Sequence, residues 1–398
     1  MKGELVALVL ILCSSCATTD IAPIGGSEFA PEEDEAKLWT DSATVEKALG
    51  DSDLIYEEPV AGTYVNGVAA RMLPHLEGGS ASVRVQIVRD PFLNAFALPN
   101  GVIYLHTGLL AAIENEAQLA MVLGHEITHF LHRHALRERR TEENRRTVAR
   151  GVLSVLAIAA AGVTGTANAA RAFMQLGSSV ADSIVTAQVN GFSRDLERDA
   201  DLRGFDALVG AGYDPREAPK VFEKLKEQEG EAGVEEPFYF GDHPALDERI
   251  STCIELLEER GPVSGGEVGE EGYLAAVGKV LLVNAALDVR FRRLARARHA
   301  IERYSAAFPE DPQGPFDLGE LERRFGDEHG ALGAYARALA ADETFAPAHR
   351  EKGLLLHMHG DAAAACVSLK RYLELASEAA DRPIIKGYVE EIHGCIAP

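Results

Sequence analysis

Apolar and polar residues follow two patterns in the first half of this 398-residue chain. Residues 83–88 alternate between apolar and polar side chains, which predicts a half-buried β-strand. Val102–His106 is a second strand candidate, because it follows the turn signal Pro-Asn-Gly at residues 99–101. A long helix is predicted to begin near Asn115, which has a glutamine three positions later as in a capping box. Its apolar residues keep helical spacing as far as Arg139.

A repeat marks the last third of the chain. Three pairs of small residues are each 34 positions apart: Gly319 and Gly353, Gly326 and Gly360, and Ala331 and Ala365. Small residues are required where two antiparallel helices approach closely, and this spacing is the period of the tetratricopeptide repeat. We therefore expect a helical array that binds proteins or peptides on a concave face and carries no chemistry of its own. An unrelated helical bundle is the alternative.

The first 16 residues are predicted to be a lipoprotein signal peptide. Residues 5–12 form an apolar run too short to span a bilayer, and the following Cys-Ser-Ser-Cys resembles a bacterial lipobox with its leucine one place early. Cys16 would then carry the lipid, and Ala17 after it favours the outer membrane by resemblance to Gram-negative lipoproteins. Cleavage before Cys13, or a plain signal peptide with incidental cysteines, is the alternative.

Composition divides the remaining chain. Residues 17–60 are predicted to be an acidic N-terminal tail, in which the acidic run at 31–35 is a solvated spacer between lipid and protein. Residues 61–260 form the first domain, residues 261–273 are a Gly-rich linker, and residues 274–398 form the helical repeat domain. The net charge of -23, from 39 Lys and Arg against 62 Asp and Glu, disfavours nucleic-acid partners because such a surface repels phosphate.

An apolar segment at residues 148–170 resembles a transmembrane helix in composition. Its glycines, threonines and asparagine lower its hydrophobicity, and Arg150 and Arg171 bracket it, so we favour a buried or groove-lining helix. Of the cysteines that remain after processing, Cys253, Cys366 and Cys395, at least one must stay unpaired in an oxidising compartment. Cys366 and Cys395 could pair.

The strongest chemical signal is the run His-Glu-Ile-Thr-His at residues 125–129, on the predicted helix. Positions i and i+4 share one helix face, so His125 and His129 can reach the same metal ion, while Glu126 stands at the rim of that face. Zinc lowers the pKa of a bound water, and Glu126 would remove its proton as the water attacks a carbonyl.

A catalytic zinc site needs a third ligand and one open position. Glu197 is a better candidate for the third ligand than His132, and Asp201 lies four positions after Glu197 on a probable helix. Such an acidic pair offers one ligand and one acceptor that orients a ligand histidine. His132 lies on the face of the two histidines, but a helical turn further on, so we expect it at the surface or behind a ligand.

These motifs resemble the HtpX-like and BepA-like family of zinc metallopeptidases, which includes the CAAX prenyl proteases. The resemblance runs from about residue 94 to 250. Its matching segments are the 125–129 motif, Ser193-Arg194 with Glu197, Ala200 and Asp201, the run Asn-Ala-Phe-Ala-Leu-Pro-Asn-Gly-Val-Ile-Tyr at 94–104, and Asp242-His243-Pro244 followed by Arg249-Ile250. Asp199 departs from the family, where Glu is common. The signal peptide and the repeats resemble the periplasmic BepA-like branch.

The resemblance implies an α+β fold: a mainly helical gluzincin domain with a small β-sheet, followed by the all-α repeat domain. It implies one Zn²⁺ per chain, bound by His125, His129 and Glu197, with Glu126 as general base and Asp201 supporting the site. His243 would stabilise the oxyanion or control access. An edge strand would pair with extended substrate through Asn94, Ala95, Phe96 and Ala97.

The resulting expectation is a zinc-dependent endopeptidase of the bacterial envelope, a periplasm-facing lipoprotein of the outer membrane. It would cut misfolded or stalled envelope proteins, with outer-membrane proteins or their assembly machinery recruited by the repeats. The main alternative is a chaperone or assembly scaffold that acts through the repeats and has a latched metal site. A structural zinc site, closed by His243, is a weaker alternative.

Overall fold

A computed structural model describes residues 17–25, 29–144, 192–229, 246–261 and 265–395. The chain divides into two compact units, residues 1–269 and residues 270–398. In the described residues the first unit combines a small sheet with helices and the second is helical, which confirms the α+β fold class. Three sequence predictions, for Cys16, His243 and residues 148–170, lie outside the described residues.

The first unit is built mainly from helices. Its helices are α1 Glu33–Gly50, α2 Pro59–Met72, α3 Thr107–Ala112, α4 Glu116–Leu131, α5 Arg194–Gly210, α6 Glu217–Glu229 and α7 Leu246–Arg260. Its strands are β1 Arg84–Val88, β2 Ala95–Ala97 and β3 Val102–His106. Residues 134–144 are also helical. Both strands predicted from alternation and turn signals are present, with β1 beginning one residue late.

The sheet has the strand order β1-β3-β2, so β2 forms an edge among the described strands. β3 is central and fully buried; it runs parallel to β1 and antiparallel to β2, with Ala95 opposite Leu105. The turn between β2 and β3 requires Gly101, whose φ is 85°. A Cβ there would lie 2.8 Å from the Ser82 carbonyl oxygen.

Helix α4 carries the 125–129 motif. Its N-terminus is capped as predicted, since the Asn115 side chain accepts a hydrogen bond from the Gln118 N–H at 2.9 Å. The predicted continuation to Arg139 is interrupted, because α4 ends at Leu131 and Arg133 has a φ of 55°. Side chains hold this unusual backbone in place: the Arg133 guanidinium is buried against the Glu35 carboxylate.

The predicted solvated spacer at residues 31–35 is wrong. These residues lead into α1, and Glu35 is only 3% exposed. Glu32 and Asp34 hydrogen-bond the Arg140 guanidinium, with Nη2···Oε2 and Nε···Oδ2 distances of 2.6 and 2.7 Å. Composition alone counts the acidic charges, but it cannot show that buried arginines of a distant segment neutralise them.

Residues 17–25 pack along the first unit, and we call them the N-terminal strap. Ile21 and Ile24 are buried, and the Ile24 N–H donates to the Leu131 carbonyl oxygen at the end of α4, at 2.7 Å. The amide side chain of Asn144 hydrogen-bonds both the N–H and the carbonyl oxygen of Ala17. The strap is therefore attached at both of its described ends.

The second unit is a series of helices: α8 Glu270–Arg290, α9 Leu294–Ala307, α10 Gln313–Arg324, α11 Glu328–Ala341, α12 Ala346–Met358, α13 Ala362–Leu375 and α14 Arg382–Glu391. Among the described residues, α8 is the helix long and apolar enough to cross a membrane, although half of its apolar stretch is buried. Core helices of soluble proteins share this length and composition.

The 34-residue spacing has a structural counterpart in the second unit. A Cβ at Gly319 would lie 2.5 Å from the Tyr335 ring, and one at Gly353 would lie 2.6 Å from Leu369, so both glycines allow neighbouring helices to approach closely. Asp327 caps α11 and Asp361 caps α13 in the same way. The assignment to tetratricopeptide repeats stays a prediction.

Candidate metal centre

His125 and His129 meet a carboxylate from another helix. Their Nε2 atoms are 2.9 Å apart on the inner face of α4. Glu197, in the first turns of α5, places Oε2 3.4 Å from His125 Nε2 and Oε1 3.4 Å from His129 Nε2. All three side chains are buried, and they form a group that could hold a metal ion. The third ligand proposed from the sequence is thus beside the other two.

Two glycines allow α4 and α5 to lie this close. A Cβ on Gly204 would be 2.9 Å from the backbone nitrogen of His125, and one on Gly124 would be 3.0 Å from the Cα of Gly204. Backbone therefore packs on backbone at this crossing. Glu197 and Asp201 lie within two turns of Gly204 on α5, so the close crossing brings both carboxylates to His125.

The donor set fits a zinc ion. Zn–N bonds of about 2.0–2.1 Å in a tetrahedron put neighbouring donor atoms about 3.3–3.4 Å apart. Here the two Nε2 atoms are 2.9 Å apart, and each lies 3.4 Å from a different oxygen of Glu197. Burial and the Arg249 charge lower the pKa of His125, but Asp201 and Glu197 outweigh them and raise that pKa to about 9. The negative charges of Asp201 and Glu197 favour a cation at this site, and a proton and a metal ion would compete for His125.

Asp201 orients His125. Its Oδ1 lies 2.9 Å from His125 Nδ1, which leaves Nε2 of the same ring to face the other ligands. Asp201 is itself paired with Arg249 of α7, whose Nε lies 3.0 Å from Oδ2 and whose guanidinium stacks on the Phe222 ring. Burial raises the pKa of Asp201, but the charges of Arg249 and His125 outweigh burial and hold it below its usual range.

Glu126 lies beside the three converging side chains and is buried. Burial, with a smaller contribution from the Glu197 charge, raises the pKa of Glu126 to about 7. The Ala97 backbone acts in the opposite direction and lowers this pKa, so the general-base candidate lies beside the edge strand β2. A carboxyl group with a pKa near neutrality can both accept and donate a proton at physiological pH.

Comparison with known proteins identifies a family for the region that contains these residues. Residues 62–256 match the family described as Peptidase family M48.

The chain carries a peptidase M48 domain.

Curated relatives of this chain include metalloendopeptidases and proteases. "Mitochondrial metalloendopeptidase OMA1" of Arabidopsis thaliana is 30% identical over 65% of this chain and 50% of its own length. "Putative beta-barrel assembly-enhancing protease" of Vibrio cholerae is 27% identical over 61% of this chain and 48% of its own length. "Beta-barrel assembly-enhancing protease" of Escherichia coli K12 is 26% identical over 58% of this chain and 45% of its own length.

The chain spans about half the length of the curated relatives it matches. Among solved structures, the protein titled "Crystal structure of MamA" aligns with 51% of this chain at 14% identity. Its TM-score of 0.25 does not indicate a shared fold.

Behind the second histidine, the M48 domain places two residues that the sequence did not single out, Phe192 and His134. The Phe192 ring stacks on His129, with centroids 4.1 Å apart. Nδ1 of His134 lies 2.9 Å from Nδ1 of His129, and Nε2 of His134 lies 3.2 Å from Asp199 Oδ2. Burial, the largest effect, lowers the pKa of His134. His132 is buried as well, with its Nδ1 3.3 Å from Asp199 Oδ2, and not at the surface.

The substrate-binding segment suggested by the resemblance lies along the edge of the M48 domain's sheet. Ala95, Phe96 and Ala97 form β2, and Asn94 precedes it with its carbonyl oxygen accepting from the His106 N–H at 3.0 Å. Phe96 stacks on Tyr104, with centroids 5.1 Å apart. Ala97 is the residue of this segment that lies beside Glu126.

Sequence reasoning missed the roles of Arg249 and Gly204. Arg249 was noticed only as part of a motif, and its partner Asp201 lies 48 residues earlier, so no local spacing connects them. Gly204 gives no signal in sequence, because a helical glycine is informative only when the opposing backbone is known.

Proposed function

We propose that this chain is a zinc-dependent endopeptidase of the bacterial cell envelope. The observation that carries the proposal is the buried convergence of His125, His129 and Glu197, with Glu126 beside them, inside an M48 domain. Two imidazoles and one carboxylate leave a tetrahedral zinc ion with one open position, as in catalytic and not structural sites.

His125, His129 and Glu197 would hold one Zn²⁺ per chain, which would supply Lewis-acid polarisation of the peptide carbonyl. Glu126 accepts a proton from the attacking water and delivers it to the amine that leaves when the peptide bond breaks. Asp201 keeps His125 in the orientation that directs Nε2 to the cluster. His243 is proposed to stabilise the developing oxyanion or to control access to the site.

Substrate is proposed to add to the sheet at β2. Asn94 and Leu98 direct their hydrogen bonds toward β3, so by alternation Ala95 and Ala97 direct their backbone groups toward the open edge. An extended peptide paired there would pass the carboxylate of Glu126, which lies beside Ala97. Such main-chain pairing gives affinity with modest selection of side chains.

The cellular role follows from sequence features outside the described residues and from named relatives. The signal peptide and Cys16 favour a lipid-anchored, periplasm-facing protein of the outer membrane. Relatives named beta-barrel assembly-enhancing proteases favour misfolded or stalled envelope proteins as substrates. The helical second unit would recruit outer-membrane proteins or their assembly machinery, as repeat arrays do.

The test is cleavage of casein or an unfolded porin by the wild type, by Glu126→Gln and by chelated protein, with metal content measured in parallel. We expect one zinc equivalent in the wild type and in Glu126→Gln, and cleavage by the zinc-loaded wild type alone. A zinc-loaded wild type that cleaves no better than Glu126→Gln would contradict peptidase activity and leave the chaperone or scaffold.

The role of His243 has its own test. If His243 latches the site, His243→Ala raises the rate of cleavage, because the open metal position becomes free. If it stabilises the oxyanion, the same variant lowers kcat with little change in KM.

A further inference from the structure

The imidazole of His129 has a polar neighbour at each of its two nitrogens. Its Nε2 faces His125 and Glu197 in the metal cluster, and its Nδ1 lies 2.9 Å from Nδ1 of His134. Both rings are buried. On its far side, His134 places Nε2 3.2 Å from Asp199 Oδ2. A continuous line of contacts thus runs from the cluster through two imidazoles to a carboxylate.

The protons along this line can be assigned. A neutral imidazole carries one proton, and a nitrogen that binds zinc cannot keep it. His129 therefore carries its proton on Nδ1 and donates it toward His134. Only one proton can lie between the two Nδ1 atoms, so Nδ1 of His134 must accept the hydrogen bond. The proton of His134 then lies on Nε2, which donates to Asp199.

The far end of the line is anchored by two more donors. Arg203 donates from Nε to Asp199 Oδ1 at 2.9 Å, one turn further along α5. His132 Nδ1 lies 3.3 Å from Asp199 Oδ2. These contacts hold the pKa of Asp199 well below its usual range despite partial burial, so the carboxylate is ionised and can accept.

A metal ion at this second cluster, His132, His134 and Asp199, is the competing interpretation, because their donor atoms also lie close together. Zinc on Nε2 of His134 would force the proton of that ring onto Nδ1. His129 would then have no place for its own proton while binding zinc at Nε2. Occupying both clusters requires removing a proton from a neutral imidazole, which is unfavourable, so the two clusters compete and only one is a metal site.

We propose that His134 is a positioning residue for zinc binding, and that Asp199 fixes the tautomer in which His134 accepts a hydrogen bond from His129. The proposal rests on the zinc peptidase function above. The two histidine ligands then share one design: Asp201 orients His125 directly, and Asp199 orients His129 through an intervening imidazole.

Two substitutions separate positioning from simple packing. His134→Asn keeps an amide oxygen near the place of Nδ1, where it can accept from His129. His134→Gln extends its amide toward Asp199 and loses that acceptor. Measured with a chromophoric chelator on the full chain, the zinc affinity of His134→Asn should stay within about threefold of wild type. His134→Gln should lose about 10- to 100-fold, the usual cost of removing a partner of a zinc-binding histidine.

His106→Asn is the matched control, because His106 is a buried histidine with a carboxylate beside it, Asp90 Oδ1 at 3.5 Å, and belongs to neither donor cluster. We expect it to bind zinc as the wild type does. Equal affinities for His134→Asn and His134→Gln would contradict positioning, as would a wild type that binds two zinc ions and loses the second when His134 is changed. A wild type that binds no zinc would contradict the peptidase function itself.

The tautomers of His129 and His134 can also be measured in the wild type, so this test does not depend on whether the variants fold. With ¹⁵N-labelled histidine, zinc-loaded protein should show His134 protonated on Nε2 and bare on Nδ1, and His129 protonated on Nδ1. A His134 ring protonated on Nδ1, or on both nitrogens, would overturn the proposal.

Discussion

Asp201 is a single carboxylate with two buried partners, His125 and Arg249. The imidazole needs it for orientation, and the guanidinium needs it as a counter-ion, since both charged groups are about 2–3% exposed. Burying such a pair is costly, so the pair adds little net stability, yet each member depends strongly on the other. The metal centre is therefore coupled at this residue to helix α7.

Replacing Arg249 with methionine tests this coupling. The change leaves the Asp201 charge buried without its cation, and we expect the free energy of unfolding to fall by about 3–5 kcal/mol. Urea unfolding followed by circular dichroism measures the loss. Zinc affinity should fall too, because Asp201 then orients His125 less well.

Arg260→Met is the control for that experiment. Arg260 lies on the same helix and pairs with Asp206, but both side chains are well exposed. An exposed pair contributes about 0–1 kcal/mol, so the control should unfold almost as the wild type does. Similar losses in the two variants would mean that burial of Arg249 does not matter.

At the scale of elements, the contact between α4 and α5 determines the site. Glu197 comes from a helix that begins 65 residues after His129 in the sequence, and only the close crossing at Gly124 and Gly204 brings it within 3.4 Å of the histidines. The spacing of two helices is thus part of the metal-binding geometry.

Gly204→Ala should disturb that spacing. The new methyl group would meet the His125 backbone nitrogen at 2.9 Å, and backbone cannot move aside as a side chain can. We expect the stability to fall by about 1–3 kcal/mol, as in other overpacked cores. Zinc affinity, measured by chelator competition, should fall as well, because Glu197 moves with α5.

Gly62→Ala on α2 is the matched control. A Cβ at Gly62 meets nothing within 4 Å, so the alanine only improves helix propensity, by up to about 1 kcal/mol. If Gly204→Ala also stabilised the protein and left zinc affinity unchanged, the crossing would be looser than the structure has it.

How far the sequence predicts these elements depends on how local their signals are. The 125–129 motif, the Asn115 cap and the strand Val102–His106 are read from neighbouring residues, and the structure agrees with them. The break after Leu131 was missed, because apolar residues keep helical spacing across it and the cause, Glu35 against Arg133, lies about a hundred residues away. The α1 helix was missed for the same reason: its acidic residues are neutralised by a distant segment.

At the scale of the whole molecule, the two units are stabilised by different chemistry. The first has the buried donor cluster that fits zinc. The second has a disulfide between Cys366 of α13 and Cys395 after α14, which confirms that these cysteines can pair. Cys253, in the first unit, is a free and buried cysteine.

Reduction should therefore weaken the second unit selectively. The disulfide closes a loop with a sequence separation of 29, and opening such a loop costs about 3–4 kcal/mol in the loop-entropy account. A phosphine reductant, which lacks thiols that would bind zinc, should lower the unfolding temperature of the second unit and leave zinc affinity unchanged. Hydrogen exchange followed by mass spectrometry assigns the change to residues 270–398.

The Cys366→Ser, Cys395→Ser double variant serves as control. It should already be destabilised and respond no further to the phosphine reductant. A reductant effect on the double variant, or none on the wild type, would contradict a stabilising role for this disulfide.

The N-terminal strap limits how far the first unit could move from a lipid anchor at Cys16. Twenty free residues after an anchor at Cys16 would let a protein range about 70 Å from a bilayer. Ala17 is instead bound by Asn144, and Ile24 by the last turn of α4. If Cys16 carries the proposed acyl chain, the M48 domain would be held close to the lipid headgroups, and the proposed peptidase would meet only polypeptides that remain at the membrane surface.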